Sequence, residues 1–364
     1  MTTVAQGGIL GFGPSAGKGQ GVAAGNWYRH KATLIDLAVL DDQRLGPPEV
    51  GGRPLPTIPY KAGVMAGGGA TINPRLEASV GWLLGAALGD STSTSGSGSI
   101  YNHTFRLDDN APSVIPWMGF RKFIPSGGDA GDYGLGETFV DCKVTNFLLT
   151  LPNDGLVSAR VDAVGRTFSL EEDPSWGITA GSTGGWNDPY GEFEEYDSIP
   201  IGTTPGGYIN TPTFGNLPVV LCTVGMQNMP LDVRMEKVYG SPYLQDVTIV
   251  SRAITLDLTV KWTNPDLYRQ ILTGSVSGTT WSSVPFTSAI DFYTLSPDVM
   301  PGELNPYSLK VSVTKAMLAL AGGIQLAGNN AVMMRFTGTA LDVPGSDYVT
   351  FELTNQFASY AWPS

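Results

Sequence analysis

Gly13-Pro14-Ser15-Ala16-Gly17 is the stretch whose spacing matches a serine nucleophile, in the pattern Gly-x-Ser-x-Gly. Such an elbow exposes its serine on a sharp turn from a strand into a helix. Here the pentapeptide lies among eight glycines between Gly7 and Gly25 with little periodicity, so no strand is expected to present Ser15. Gly17-Lys18 imitates a phosphate loop, but Phe12 stands where the first glycine belongs and Gly19 where a magnesium-binding Ser or Thr belongs. His30 and His103 are the only histidines, too few for a standard histidine zinc site or a convincing triad. Cys142 and Cys222 are the only cysteines and read as buried thiols in a reducing compartment, with no disulfide framework.

Carboxylates are the remaining candidates. Glu171, Glu172, Asp173, Asp188, Glu192, Glu194, Glu195 and Asp197 fall in one span without Lys or Arg, so this span carries −8 of the net charge of −12. It lacks the alternating Asp/Asn and central Gly of a calcium loop, and nothing fixes the carboxylate separation a glycosidase needs. Trp186, Tyr190, Phe193 and Tyr196 are interleaved, so the span reads as a solvated loop anchored by aromatics, with an intersubunit or carbohydrate contact as the alternative. The rest of the chain is nearly balanced, without the clustered Lys and Arg that grip phosphate. No catalytic, cofactor or metal set emerges, and the expectation is a protein that is not an enzyme. The longest apolar run, Val80 to Leu88, is far short of a membrane span, and no secretory leader is legible; the chain is expected to be soluble and made inside the cell.

The elements around these residues read as mainly β. Charged residues are 15% of 364, with 47 Gly and 26 Pro, a composition of short strands joined by turns. Residues 1–26 read as a flexible Gly-rich arm. Thr33, Ile35, Leu37 and Val39 alternate as a strand, and Leu45 to Gly69 reads as a long loop. A helix is predicted from an Asn73 cap and Pro74, with Leu76, Val80, Leu83, Leu84 and Ala87 on one face and Gly89 as its stop. Ser91–Ser99 reads as a loop and Ile100–Leu107 as a strand. A hairpin turns at Pro152-Asn153-Asp154-Gly155, with Val157, Ala159, Val161 and Ala163 facing one way and Ser158, Arg160 and Asp162 the other.

The second half repeats the order. Ile254, Leu256, Leu258, Val260 and Trp262 alternate, a helix follows from Asn264-Pro265-Asp266-Leu267 to Gly274, and a strand lies near Ser288–Leu295. A hairpin then runs through Leu309, Val311 and Val313, turns around Gly322-Gly323, and returns through Val332, Met334, Phe336 and Ala340. Residues 214–250 add strands ahead of it. The shared sequence of strand, helix and three strands predicts an internal duplication, with a single continuous β fold as the alternative.

The Gly-rich start, the strand Lys31–Leu40, the Gly/Pro loop, the helix ending Leu84-Gly85-Ala86-Ala87-Leu88-Gly89, the Ser/Thr/Gly linker into Ile100-Tyr101-Asn102-His103-Thr104-Phe105, and Phe139–Leu151 with its return strand resemble the major tail tube proteins of long, non-contractile-tailed bacteriophages. The resemblance covers most of residues 1–170 and, more weakly, 245–364. It implies two tandem tail-tube-like β-sandwich or barrel units, each with one flanking helix. The divisions are an arm (1–26), a first unit (27–170), an acidic aromatic connection (171–213) and a second unit (214–364). It further implies a structural virion protein that stacks in rings to form the tail tube through which phage DNA passes without specific binding. The rings are then expected to be homotrimers that imitate hexamers, or true hexamers, with tape-measure and tail-terminator or baseplate proteins as the other expected partners. The protein is then expected in the virion tail after assembly in the host cytoplasm, without membrane insertion or cofactor. Assembly contacts are expected at Leu45, Pro47, Arg53, Pro56, Asn73 and Asn264, and deletion of residues 1–26 or of the Leu45–Gly69 loop is expected to weaken stacking more than folding. The rival expectation is a β-sandwich carbohydrate-binding adhesin or tail decoration protein, with exposed Trp and Tyr stacking on sugars.

Overall fold

Side-chain alternation dictates the longest elements of the computed structural model, which describes residues 8–23, 25–47, 55, 58–77, 79–96, 98–107, 115–126, 134–174, 208–232, 235–322, 324 and 332–363. The described chain is mainly β, one large hydrogen-bonded antiparallel network with two helices. The strands are β1 (Ile9–Pro14), β2 (Tyr28–His30), β3 (Ala32–Ile35), β4 (Ala38–Leu45), β5 (Pro59–Ile72), β6 (Gly89–Ser95), β7 (Tyr101–Leu107), β8 (Met118–Pro125), β9 (Gly134–Pro152) and β10 (Ser158–Glu172). They continue as β11 (Tyr208–Thr211), β12 (Gly215–Asn216), β13 (Val219–Pro230), β14 (Ile249–Lys261), β15 (Phe286–Val299), β16 (Pro306–Leu320), β17 (Met333–Ala340) and β18 (Val349–Asn355). Helix α1 (Ser79–Leu88) follows β5, and α2 (Asp266–Thr273) follows β14.

The hairpin of β9 and β10 forms as its alternation dictates, with Val157, Ala159, Val161 and Ala163 buried and a register shift at Asp162/Ala163. The strand β14 likewise buries Ile254, Leu256, Leu258 and Val260. α2 ends where expected, at Gly274 with φ 74° and its N–H donating to Gln270 O. Asp266 in its first turn faces the positive end of the helix dipole.

Five expectations are corrected. The arm contains β1, which pairs with β2 and β8 and buries Leu10 and Phe12. Its glycines erase the alternation that marks a strand, because those positions receive other segments: a Cβ at Gly13 would stand 2.2 Å from Asn26 O. The Leu45–Gly69 loop is largely a hairpin, in which β4 runs to Leu45 and β5 starts at Pro59, paired from Leu45↔Pro59 to Ala38↔Gly67. α1 begins at Ser79; Asn73-Pro74 instead ends β5, consistent with the extended backbone that a following proline imposes. Ser91–Ser99 is not all loop, since Gly89–Ser95 forms β6 along β7, a Ser/Thr strand whose polarity hides it from a search for apolar alternation. Residues 208–211 of the expected connection form β11, paired with β15. The rest of the expected connection, residues 175–207, and Gly323 lie outside the described residues.

The two halves share a pairing order. In the first, β5 precedes the helix and pairs with β10, which pairs with β9, which pairs with β8. In the second, β14 precedes the helix and pairs with β17, then β16, then β15. Each is a Greek-key order. The halves are also joined, because β9 pairs with β13 and β7 with β18. One apolar cluster runs through both, including Phe147, Leu149, Val224, Leu256, Phe336 and Phe351. α1 has apolar or glycine residues on every side and is buried throughout after Ser79, as a helix without a polar face must be.

Candidate assembly surfaces

Six strands, β5, β10, β9, β13, β14 and β17, lie side by side with matched registers, and period-two alternation gives them one apolar and one polar face. One transverse row of the polar face reads Thr71, Arg160, Leu148, Gly225, Thr255 and Thr339. The next reads Ser158, Thr150, Thr223, Asp257 and Thr337. The opposite face of the same strands carries Ile72, Ala159, Leu149, Val224 and Leu256, all buried.

Charges on the polar face are paired. Arg160 bridges Asp36 at 2.7 Å and Asp162 at 2.7 Å, and Asn146 Nδ2 donates to Asp162 Oδ2 at 2.9 Å. Burial works to raise the Asp36 carboxyl, but hydrogen bonds from Arg160 and from Gly69 N–H outweigh it and hold it below the usual carboxylate range. Across the sheet, Arg335 Nε donates to Asp257 Oδ1 at 2.9 Å. Lys261 is exposed on the same face of β14, and the charges of Arg160, Arg335 and Lys261 sum to zero with those of Asp36, Asp162 and Asp257, so this part of the surface is hydrophilic without a strong field.

A second surface is apolar. The hairpin of β4 and β5 exposes Leu40, Leu45, Ile58 and Tyr60, and Leu55 beyond it is exposed too. The segment between β13 and β14 lies against this hairpin: Val64 N donates to Pro242 O at 2.8 Å, and Lys237 approaches Asp42 at 3.7 Å. It adds exposed Met235, Val238, Tyr239 and Tyr243. Its base is held by Arg166 Nε donating to Leu244 O, by the Lys18–Asp246 pair, and by a small core of Ile115, Leu244, Val247 and Ile249. Sheet edges form a third surface, since among the described residues β2, β3, β4, β6 and β12 each have one ladder partner.

Of the six expected assembly residues, Leu45 ends β4 with 64% of its surface exposed, and Pro47 just beyond it is exposed. Asn264 is exposed before α2, its Oδ1 accepting from Asp266 N at 3.2 Å. Asn73 is half-buried at the end of β5, remote in the sequence from Leu45. Arg53 and Pro56 lie outside the described residues. The polar face was missed as a surface although its alternation was legible, because no single-strand pattern says which strands lie abreast.

The sequence motifs resolve differently. A strand does precede Ser15, against expectation, but Ser15 is buried and its Oγ donates to Gly17 O at 2.9 Å. Burial pushes the Cys142 and Cys222 thiols well above their ordinary range, as inert core cysteines require. Among the described residues no group of three His, Cys, Asp or Glu could hold a metal ion. No helix there is long and apolar enough to cross a membrane. No protein-family model matches the chain, and no curated protein matches it.

Proposed function

We propose that this chain is a structural subunit of a phage-type tail tube, assembling into stacked rings around a channel that passes DNA. The observation that carries the reading is the six-stranded sheet with one face sunk in the core and the other polar, threonine-rich and charge-paired. A channel wall needs such a face, wetted enough to pass a polyanion and too weakly charged to hold it. In this reading β5, β10, β9, β13, β14 and β17 form the wall, and sheet edges other than β6 complete it between subunits.

The two halves are two tandem tail-tube-like units, supported by the shared order of β5–β10–β9–β8 and β14–β17–β16–β15. A trimer then supplies six units, and a hexamer is the alternative. The exposed apolar surface of the β4–β5 hairpin and of Met235–Tyr243 makes the axial contact between rings. Tape-measure and tail-terminator or baseplate proteins cap the assembly. The protein acts without catalysis or cofactor in this role, in the virion tail after assembly in the host cytoplasm.

Negative-stain electron microscopy of purified protein over a concentration series tests this, with end-on views averaged for symmetry. Hollow stacked rings with threefold modulation are expected. Dispersed monomers at every concentration, together with glycan binding, favour the carbohydrate-binding adhesin or decoration reading instead; its supporting observation is Trp281, 77% exposed in the segment between α2 and β15.

A further inference from the structure

His103 is fully buried on β7, directly across from Ser93 on β6. The ladder fixes what kind of pair they form. Gly96 N donates to Ile100 O at 2.8 Å, and hydrogen-bonded pairs alternate along an antiparallel ladder. Counting back from 96/100 makes 93/103 a non-hydrogen-bonded pair, in which side chains approach closely and each N–H points away from the partner strand. Ser93 N–H therefore points to the outer rim of β6, whose only ladder partner among the described residues is β7. Ser93 itself is part-exposed.

The proton positions follow from Asn355. Its Oδ1 accepts from Phe357 N at 2.9 Å, while its Nδ2 donates to Leu76 O at 2.8 Å and to Tyr360 Oη at 2.8 Å. With the amide so oriented, His103 Nε2, 2.9 Å from Asn355 Oδ1, must carry the proton and donate it. Nδ1 is left with its lone pair toward Ser93 Oγ, 2.8 Å away. The imidazole is thus a neutral base that accepts from a serine hydroxyl. Burial lowers its pKa, with the Asn355 and Phe357 hydrogen bonds working the other way, so it stays neutral at ordinary pH.

We propose that Ser93, His103 and Asn355 form a nucleophile, base and positioning relay at the rim of β6 that accepts an acyl group from small activated esters. The parts match those of known relays: a nucleophile bonded to a base, a base oriented by a third side chain, and a backbone N–H beside the nucleophile. Ser93 Oγ attacks the ester carbonyl carbon while its proton passes to His103 Nδ1, and the carbonyl oxygen becomes an oxyanion near Ser93 N–H. Collapse re-forms the C=O and breaks the bond to the leaving oxygen, which takes the proton from Nδ1. Water then attacks the acyl carbonyl while its proton passes to His103 Nδ1; the bond to Ser93 Oγ breaks, Oγ takes that proton, and the carboxylic acid leaves. Asn355 is a positioning residue, holding the tautomer. The rings of Tyr101 and Tyr360, at 6.4 and 4.7 Å from the imidazole, favour an uncharged acyl group over an anionic one.

The test is p-nitrophenyl acetate on the full-length protein, followed by peptide mass spectrometry. Expected are a burst of about one equivalent of nitrophenolate, acetyl on Ser93 well ahead of Ser91 and Ser95, and no burst in Ser93→Ala. General-base assistance is worth about 100-fold or more, so His103→Gln is expected to lower the acylation rate by at least that factor. The wild-type rate should fall as His103 protonates in acid, and selectivity for Ser93 should vanish in urea. Equal labelling of Ser91, Ser93 and Ser95 in the folded wild type, or none at Ser93, overturns the proposal even if His103→Gln fails to fold.

Discussion

Residue-scale packing is most exacting on α1, where two small residues make room for the segment after β18. A Cβ at Gly81 would stand 2.2 Å from the Tyr360 ring, and one at Gly85 would stand 2.9 Å from the edge of Trp362. Tyr360 is fully buried. Gly to Ala inside a helix ordinarily gains about 0.5–1 kcal/mol, but overpacking a filled core costs about 1–3 kcal/mol, and here the contact dominates. Gly81→Ala is expected to destabilise and Gly85→Ala to do so less, measured by urea unfolding; a stabilised Gly81→Ala refutes the packing. His103 adds a pH term. Its folded pKa lies below the ordinary 6.5, so the unfolded chain binds more protons as the pH falls through that value. The stability it confers is complete above 6.5 and drains away as pH drops toward the folded pKa. His103→Gln should flatten the stability profile as pH falls below 6.5, and an unchanged profile rules the assignment out. None of this was legible in the sequence, because Ser93 and Asn355 stand far apart along the chain and only the pairing of β6, β7 and β18 gathers them.

At the scale of elements, legibility followed side-chain period. β10 and β14 were readable because branched or apolar residues alternate with polar ones against a core. β1 and β6 were not, one because glycines stand at buried positions and the other because an edge strand needs no apolar face. The correction to β1 reverses an expectation: deleting residues 1–26 removes Leu10 and Phe12 from the core and should abolish folding. Phe12→Ala alone is expected to cost about 3–5 kcal/mol, readable in denaturant unfolding, and a loss under 1 kcal/mol would return β1 to the status of an accessory arm. The β4–β5 hairpin makes the opposite case. Leu45 is mostly exposed, and exposed substitutions usually change stability by no more than about 0.5 kcal/mol. Leu45→Asp with Tyr60→Ser should leave the unfolding midpoint in place while shortening or abolishing tubes. Full-length tubes from that variant would remove the hairpin from the axial contact.

For the whole molecule, the proposed role as a channel wall raises the question of why such a face would carry charge at all if neutrality suffices. Arg160 and Arg335 sit on β10 and β17, each tied to aspartates from neighbouring residues or strands. Paired in this way, they lend the sheet polarity while their fields cancel at a distance, as the proposed passage of a duplex would require. That cancellation is fragile. Asp162→Asn with Asp257→Asn leaves Arg160, Lys261 and Arg335 facing Asp36 alone, and repetition around a ring and along a tube multiplies each unbalanced charge. Phosphate binding by such a surface releases counterions, with log K falling by about 0.9 per log unit of salt for each phosphate neutralised. Wild-type tubes are expected to let short duplex DNA pass or elute freely, and the double variant to retain it at low salt and release it as salt rises. Retention equal to wild type at low salt, in tubes of normal appearance, would place the polar face away from the channel and leave the six-stranded sheet without the role assigned to it.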